Sequence, residues 1–150
     1  MEQPFPLLAI PPFRPDGYLP EGVHVTSEAE ILFRFGSANR RRRRLALRLR
    51  RWIVLGRKIG ATRLLVDGSF VTAKAEPHDV DTVILLPQDF SRQLEQKYAP
   101  ALELEKMLTN RRPEEIFAAE DDTDWEEWVM FFSQTREPGR RRKGLVEIRL

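Results

Sequence analysis

Residues 65–86, LVDGSFVTAKAEPHDVDTVILL, place a Gly-Ser turn at the end of one apolar run and an Asp-x-Asp pair at the start of the next. The apolar runs at residues 64–66 and 83–86 have the composition of buried strands. Roughly a dozen residues separate them, too many for a tight hairpin and enough for a turn with a short helix. The stretch therefore predicts a strand, a turn with a helical segment, and a second strand.

The segment before this stretch predicts two helices. Ser27 and Glu30 have the spacing of a capping box, and the first glycine after them is placed to end a short helix. A second helix should begin near Ser37 or Asn39, because apolar residues recur at helical spacing after it, and it should end at Gly60. The opposite face of this second helix is rich in arginine.

Further elements are predicted after the Asp-x-Asp pair. Residues 91–98, 101–110 and 122–134 have helical patterns, and Pro100 stands where a helix begins or kinks. Residues 113–119 predict either a short strand or a helical turn, and residues 143–150 alternate like a closing strand. We therefore expect an α/β (α+β) fold with a short mixed β-sheet and helices packed on one side of it.

Length and composition predict a single domain. The chain has 150 residues, of which 41% are hydrophobic, enough for one compact core and too few for two. The first 25 or so residues are rich in Pro and Gly and show no sustained period. We expect residues 1–25 to form an irregular arm and residues 26–150 to form the domain.

Composition also limits the chemistry and the location. The chain has no cysteine and two histidines, which excludes a disulfide framework and a Cys/His zinc cluster, so any metal must be held by oxygen. No apolar run approaches the ~20 residues of a membrane span, and the first residues lack the basic-then-apolar layout of a secretory signal. We expect a cytoplasmic protein without a membrane partner.

Asp79 and Asp81 are the candidate metal ligands. In an extended strand their side chains point to the same face, where two carboxylates repel each other unless a cation lies between them. Mg²⁺ takes one or two carboxylates together with phosphate oxygens and water, and this pair could hold two such ions. Gly68 and Ser69 form a turn whose N–H groups and hydroxyl suit a phosphate. The pattern favours a nucleotide site with magnesium.

Residues 67–86, DGSFVTAKAEPHDVDTVILL, resemble the signature of the nucleotidyltransferase superfamily related to DNA polymerase beta. They resemble most closely its minimal, antitoxin-type bacterial members. The resemblance implies a nucleotidyltransferase-like fold in which Gly68 and Ser69 bind the triphosphate of ATP. It also implies that Asp79 and Asp81 bind two Mg²⁺ ions, and that AMP passes from ATP to a hydroxyl of a protein or RNA acceptor. Minimal members often act as antitoxins paired with an all-helical toxin, so the resemblance implies a toxin-antitoxin setting.

The Gly-Ser turn departs from the family's pattern in two ways. Nine residues separate Ser69 from Asp79, one fewer than in many minimal members, and the usual Arg-Gly after the turn is missing. We expect Lys74 to take over a phosphate contact.

The third carboxylate of the family lies on a later strand and activates the attacking hydroxyl. Its candidates in this chain are Glu115, Glu114 and Glu147. We prefer Glu115, because a strand that follows a helical segment is where the family carries this group. If none of the three reaches the site, the protein binds a nucleotide without turning it over.

Arginines form the second strong pattern of the sequence. Residues 40–44 are consecutive arginines at the start of the predicted second helix, and residues 140–143 add a second basic cluster. Adjacent positive charges destabilise a helix unless anions compensate them. The anion could be nucleic-acid phosphate, an acidic partner protein or the chain's own acidic residues 120–127, or the arginines form a solvated face. The alternative function is a non-catalytic nucleotidyltransferase-like module that binds nucleic acid or a partner protein through Arg41, Arg42, Arg43 and Arg44.

Overall fold

The computed structural model describes residues 9–110, 115–135, 139 and 141–150. Its strands form one mixed sheet: β1 (Gly22–Thr26), β2 (Arg63–Asp67), β3 (Asp81–Leu85), β4 (Ile116–Ala119) and β5 (Gly144–Arg149). The order across the sheet is β1-β5-β2-β3-β4, with β1 parallel to β5, β3 parallel to β4, and antiparallel pairing elsewhere. The predicted α/β fold with a short mixed sheet is confirmed.

The connecting helices are α1 (Glu28–Phe35), α2 (Arg40–Ile59), α3 (Phe90–Glu95), α4 (Ala99–Thr109), α5 (Asp122–Phe132) and a 3₁₀ helix at Ser69–Val71. The side chain of Ser27 accepts a hydrogen bond from the N–H of Glu30 at the start of α1. The side chain of Asn39 accepts one from the N–H of Arg42 at the start of α2. Gly60 ends α2 with a φ of 84°, in the left-handed conformation. The predicted bounds of both helices are confirmed.

Side chains alternate between the two faces of the sheet, and each face has its own core. On the first face, Leu64 and Val146 pack with the buried side of α2 and with residues of α1, α3 and α4. On the second face, Leu65 and Leu145 pack against Trp125 of α5. Most helices thus lie on one side of the sheet, as expected, and α5 is an addition on the other side.

The expected N-terminal arm is partly wrong. Residues 22–26 form β1, whose parallel ladder pairs Val23 with Leu145 and Val25 with Glu147 of β5. Residues 9–21 contain no helix or strand, and residues 1–8 lie outside the described ranges.

Two alternatives left by the sequence are resolved. The segment before α5 forms the strand β4 rather than a helical turn, with residues 113 and 114 outside the described ranges. Pro100 lies in the first turn of α4, so it begins a helix rather than kinks one. None of the helices within the described ranges combines the length and the apolar character that crossing a membrane requires.

Candidate active site

The end of β2 and the start of β3 bring two carboxylates to one edge of the sheet. Asp67 is the last residue of β2, Asp81 is the first of β3, and the antiparallel ladder pairs them directly. Paired residues of neighbouring strands point to the same face, with Cβ atoms about 5 Å apart. Both side chains therefore lie on the second face of the sheet, in line with Leu65 and Val83.

The turn after β2 depends on Gly68. Its φ is 88° and its ψ is 177°, a conformation that is nearly restricted to glycine. A Cβ at this position would lie 2.9 Å from the carbonyl oxygen of Asp79 and 3.0 Å from the nitrogen of Asp81. The glycine therefore allows the turn to lie directly against the backbone that carries the acidic pair.

Ser69 holds the carboxylate of Asp79 in place. The N–H and the hydroxyl of Ser69 donate to Asp79 Oδ1 at 2.8 and 2.7 Å, and the hydroxyl oxygen accepts from the N–H of His78 at 2.8 Å. Burial opposes ionisation of Asp79, but the bonds from Ser69 outweigh it, so the pKa of Asp79 lies below its ordinary value. In this structure the Ser69 donors that were predicted to bind phosphate thus bind a carboxylate.

Among the carboxyl groups that the structure describes, Asp81 is the one whose pKa its surroundings shift most. Burial, the charges of Asp79 and Asp67, a hydrogen bond to Asp79 and the charge of Glu115 raise the pKa of Asp81 from 3.8 to about 8. Two carboxyl groups share a hydrogen bond only when one of them is protonated. The pKa directions assign the proton to Asp81 and the negative charge to Asp79. The pair therefore lies where additional positive charge is strongly favoured.

Asp67 is a site carboxylate that sequence reasoning missed. It is 3% exposed, and Nζ of Lys143 donates to its Oδ2 at 3.1 Å and lies 3.0 Å from its Oδ1 without hydrogen-bond geometry. Burial raises the pKa of Asp67 to about 6 in spite of this cation. The sequence carried one signal for Asp67, its position at the end of a strand before the Gly-Ser turn. Lys143, 76 residues away, had no local signal.

An open cleft of about 850 Å³ joins these groups. It is lined by every predicted metal and nucleotide ligand: Gly68, Ser69, Lys74, Asp79 and Asp81. Asp67 and Lys143 also line it, together with residues 16–18 and the region at the end of α5. The volume lies within the range of about 300 to 1,000 Å³ that is typical of small-molecule sites. The cleft thus has the size of a small-molecule site.

Glu115, the preferred third carboxylate, lies beside Asp81. It immediately precedes β4, and its carbonyl oxygen accepts from the N–H of Thr82 at 3.0 Å. Its charge contributes to the raised pKa of Asp81. Glu115 is not among the residues that line the cleft, and the register of β3 and β4 puts it next to Asp81.

The other two glutamates have different outcomes. Glu147 is 2% exposed and forms ion pairs with Arg63, at 3.0 Å, and with Arg149. These bonds outweigh the effect of burial and lower the pKa of Glu147. Two arginines thus occupy the carboxylate of Glu147, and it is not among the groups that shift the pKa of Asp81, so the alternative that Glu147 is the third carboxylate is wrong. Glu114 lies outside the described residues.

Two of the four arginines predicted to bind an external partner are bound inside the protein. Arg42 is buried, and its guanidinium donates to the carbonyl oxygens of Phe35, Phe70, Thr72 and Lys74. Arg41 donates to the carbonyl oxygens of Pro77 and His78.

These bonds correct the predicted role of Arg41 and Arg42. Arg42 lies on the buried side of α2 because it is three residues before Leu45. The guanidinium groups of Arg41 and Arg42 bind carbonyl groups of the segment that connects the Gly-Ser turn to the Asp-x-Asp pair, and so they hold this segment against α2. Arg43 and Arg44 are exposed and form no ion pair with any described residue. Their predicted role in binding a partner stays a prediction.

The acidic cluster offers the type of ligand that a hard divalent cation prefers. Within the described ranges no group of three or more His, Cys, Asp or Glu side chains is spaced to enclose a metal ion by itself. Mg²⁺ does not require such a group, because it keeps several waters and takes phosphate oxygens beside one or two carboxylates. Asp79 and Asp81, adjacent at the cleft, are such a pair and fit the ion.

Comparison with known proteins gives a family and no activity. A family model described as "Family of unknown function (DUF6932)" matches residues 11–149. No curated protein and no solved structure matches the chain.

Proposed function

The chain belongs to this family, DUF6932, and from the geometry of its cleft we propose that it is an Mg²⁺-dependent nucleotidyltransferase. It would transfer AMP from ATP to a hydroxyl of a protein or RNA acceptor. The observation that carries the proposal is the contact between the Asp79 and Asp81 carboxyl groups beside the Gly-Ser turn, with Asp67 and Glu115 on either side. Four acidic side chains in one place oppose folding, which is a reason to infer a cationic ligand.

Asp79 and Asp81 would hold the Mg²⁺ ions. When bound, the ions supply positive charge that offsets the charge on the reacting phosphate. Ser69 keeps Asp79 ionised and oriented through its two hydrogen bonds. Lys143 compensates the charge of Asp67, so that Asp67 can stay buried beside the pair.

The remaining cleft residues would orient the substrates. Lys74, which is exposed at the cleft, would contact the triphosphate. In the transfer step the acceptor oxygen forms a bond to the α-phosphorus of ATP while the bond from that phosphorus to the pyrophosphate oxygen breaks. Pyrophosphate leaves with the electron pair of that bond, and the hydroxyl proton passes to Glu115.

The proposed biological setting comes from the sequence resemblance. Minimal members of the superfamily that the sequence resembles often act as antitoxins paired with an all-helical toxin, and this chain would act on such a protein acceptor or on RNA. Fold likeness alone does not establish an acceptor. The first experiment therefore leaves the acceptor open.

Transfer is tested with ATP labelled at its α-phosphate, Mg²⁺ and cell lysate. The wild type should label a macromolecule, and digestion with ribonuclease or protease then identifies the acceptor as RNA or protein. Asp81→Asn should abolish labelling, because it removes one of the two carboxylates of the pair. Asp122→Asn, at a side chain that is 88% exposed, is the matched control and should label like the wild type. A wild type that labels nothing and binds no Mg²⁺–ATP would refute the proposal.

The second candidate function is the non-catalytic module, and the exposed Arg43 and Arg44 favour it. They lie on the turn of α2 that holds the loop between the Gly-Ser turn and the acidic pair, and no described carboxylate neutralises them. Replacing both with serine should abolish salt-sensitive binding to nucleic acid or an acidic partner, while Asp81→Asn should leave that binding intact. The opposite pattern would favour the enzyme.

A further inference from the structure

Phe131 is a large apolar side chain that the fold leaves exposed at the cleft. It lies in the last turn of α5, is 61% exposed and lines the same cleft as the acidic pair. Its neighbour Phe132 is partly buried and packs on Phe117 and Trp128. A side chain of this size at the wall of a polar cleft is suited to bind an apolar part of a ligand.

The ring of Phe131 is supported from the protein side. It meets Phe132 at 77°, with ring centres 5.1 Å apart, and Trp128 at 85° and 6.0 Å. Trp128 and Phe132 stack on each other instead, at 19°. The perpendicular contacts fix the orientation of the Phe131 ring without covering it by a parallel ring of the protein. A planar ligand can therefore stack on it.

The polar groups near Phe131 suit the edge of a heterocycle. Gln134, exposed two residues after the end of α5, lines the cleft with an amide that both donates and accepts hydrogen bonds. The acidic pair and Lys74 line the same cleft, so one ligand bound there can meet both an aromatic ring and charged groups. A nucleotide has this layout, with a planar base and a charged phosphate chain.

We propose that Phe131 is the stacking platform for the nucleobase, with Gln134 contacting the edge of the base. The inference rests on the proposed function, because it assumes a nucleotide whose phosphates lie at the Gly-Ser turn and the acidic pair. The inference goes beyond the proposed function because it assigns a position to the base, at the end of α5. Base stacking on an aromatic side chain is sequence-tolerant, so Phe131 sets affinity for any base, and Gln134 is the residue through which bases are distinguished.

The test compares Mg²⁺–ATP with Mg²⁺–tripolyphosphate, which has the phosphates and no base, by calorimetric titration. Phe131→Ala should weaken ATP binding about 10- to 100-fold and leave tripolyphosphate binding unchanged. Phe131→Tyr, which keeps the ring, should bind ATP like the wild type. Phe33→Ala removes an aromatic ring that is 77% exposed on α1 and does not line the cleft, and it is the matched control with no effect on either ligand.

The outcomes separate this inference from the proposed function. If the wild type binds ATP and tripolyphosphate equally well, or Phe131→Ala binds ATP normally, the base platform is refuted while the phosphate site stands. If the wild type binds neither ligand, both proposals fail. If Phe131→Ala keeps ATP binding and loses transfer to a protein acceptor, Phe131 instead contacts that protein, together with the exposed Met130, and the inference is overturned. Thermal unfolding of each variant confirms that it folds.

Discussion

Replacing Asp81 with asparagine should stabilise the protein, and the gain should increase with pH. In the folded protein the pKa of Asp81 is raised from 3.8 to about 8, chiefly by burial and by the charges of Asp79 and Asp67. The folded state therefore keeps a proton that the unfolded state releases. The contribution of Asp81 to the stability of the wild type is complete below about pH 4 and is lost as pH rises toward 8. Asparagine carries no titrating group, and its amide N–H can donate to Asp79 as the carboxyl proton does.

The size of the effect follows from the width of the pH window. One proton bound only by the folded state lowers the free energy of unfolding by about 1.4 kcal/mol per pH unit. Between pH 5 and 8 this amounts to about 4 kcal/mol. Because Asp81 is only partly buried and solvent screens its neighbours, we expect about half of that, about 2 kcal/mol. The free energy of unfolding of the wild type falls by this amount because Asp81 loses its proton in the unfolded state and keeps it in the folded state.

Urea unfolding at several values between pH 5 and 8, followed by tryptophan fluorescence, measures this difference. The free energy of unfolding of Asp81→Asn minus that of the wild type should rise by about 2 kcal/mol across the range. The exposed Asp122→Asn should follow the wild type at every pH. A difference between Asp81→Asn and the wild type that does not change with pH would show that Asp81 is solvated and would refute the reasoning. Mg²⁺ should restore stability to the wild type at pH 8 and have less effect on the variant.

The remaining predictions concern stability and are measured by urea unfolding. Gly68→Ala should lower the free energy of unfolding by about 3 kcal/mol, since a Cβ would contact backbone at 2.9 Å. Gly60→Ala, at a similar φ but with open space around it, should lower it by about 1 kcal/mol. Equal losses in the two variants would contradict the close approach at Gly68. Arg42→Lys should lose about 2 to 4 kcal/mol, because an ammonium cannot reach four carbonyl groups, and Arg43→Lys should lose nothing measurable. The lowered pKa of Glu147 means that its two arginine pairs stabilise the fold above about pH 4.5 and lose that effect as pH falls, so Glu147→Gln should flatten the acid limb of the stability curve.

Local signals in the sequence were sufficient to predict the helices and strands around the site. The caps at Ser27 and Asn39, the stop at Gly60 and the two apolar runs define α1, α2, β2 and β3 because each depends on residues within a few positions of one another. The Asp79–Ser69 contact was not predicted, because the sequence does not show that the Ser69 donors meet a carboxylate ten residues away. All the cleft residues that were predicted lie within residues 65–86.

What the sequence could not supply depends on strand register and on distant contacts. β1 was missed because a five-residue strand at the edge of the sheet, in a segment rich in Pro and Gly, has too short a pattern to be recognised. Asp67 acquires its role from direct pairing with Asp81, and pairing register is a tertiary property. Arg42 was placed with its neighbours as a surface charge, although its helical spacing from Leu45 and Leu49 was a usable signal that it faces the core.

The arrangement of Asp67, at the end of β2, Asp81, at the start of β3, and Glu115, directly before β4, has an evolutionary consequence. Their spacing is set by the ladder hydrogen bonds and not by the connections between the strands, so insertions or deletions in those connections leave the three acidic groups together. A single residue inserted within any one of the strands would instead turn its carboxylate toward α2. Members of the family should therefore vary in the length of their loops while the strands themselves keep a constant length.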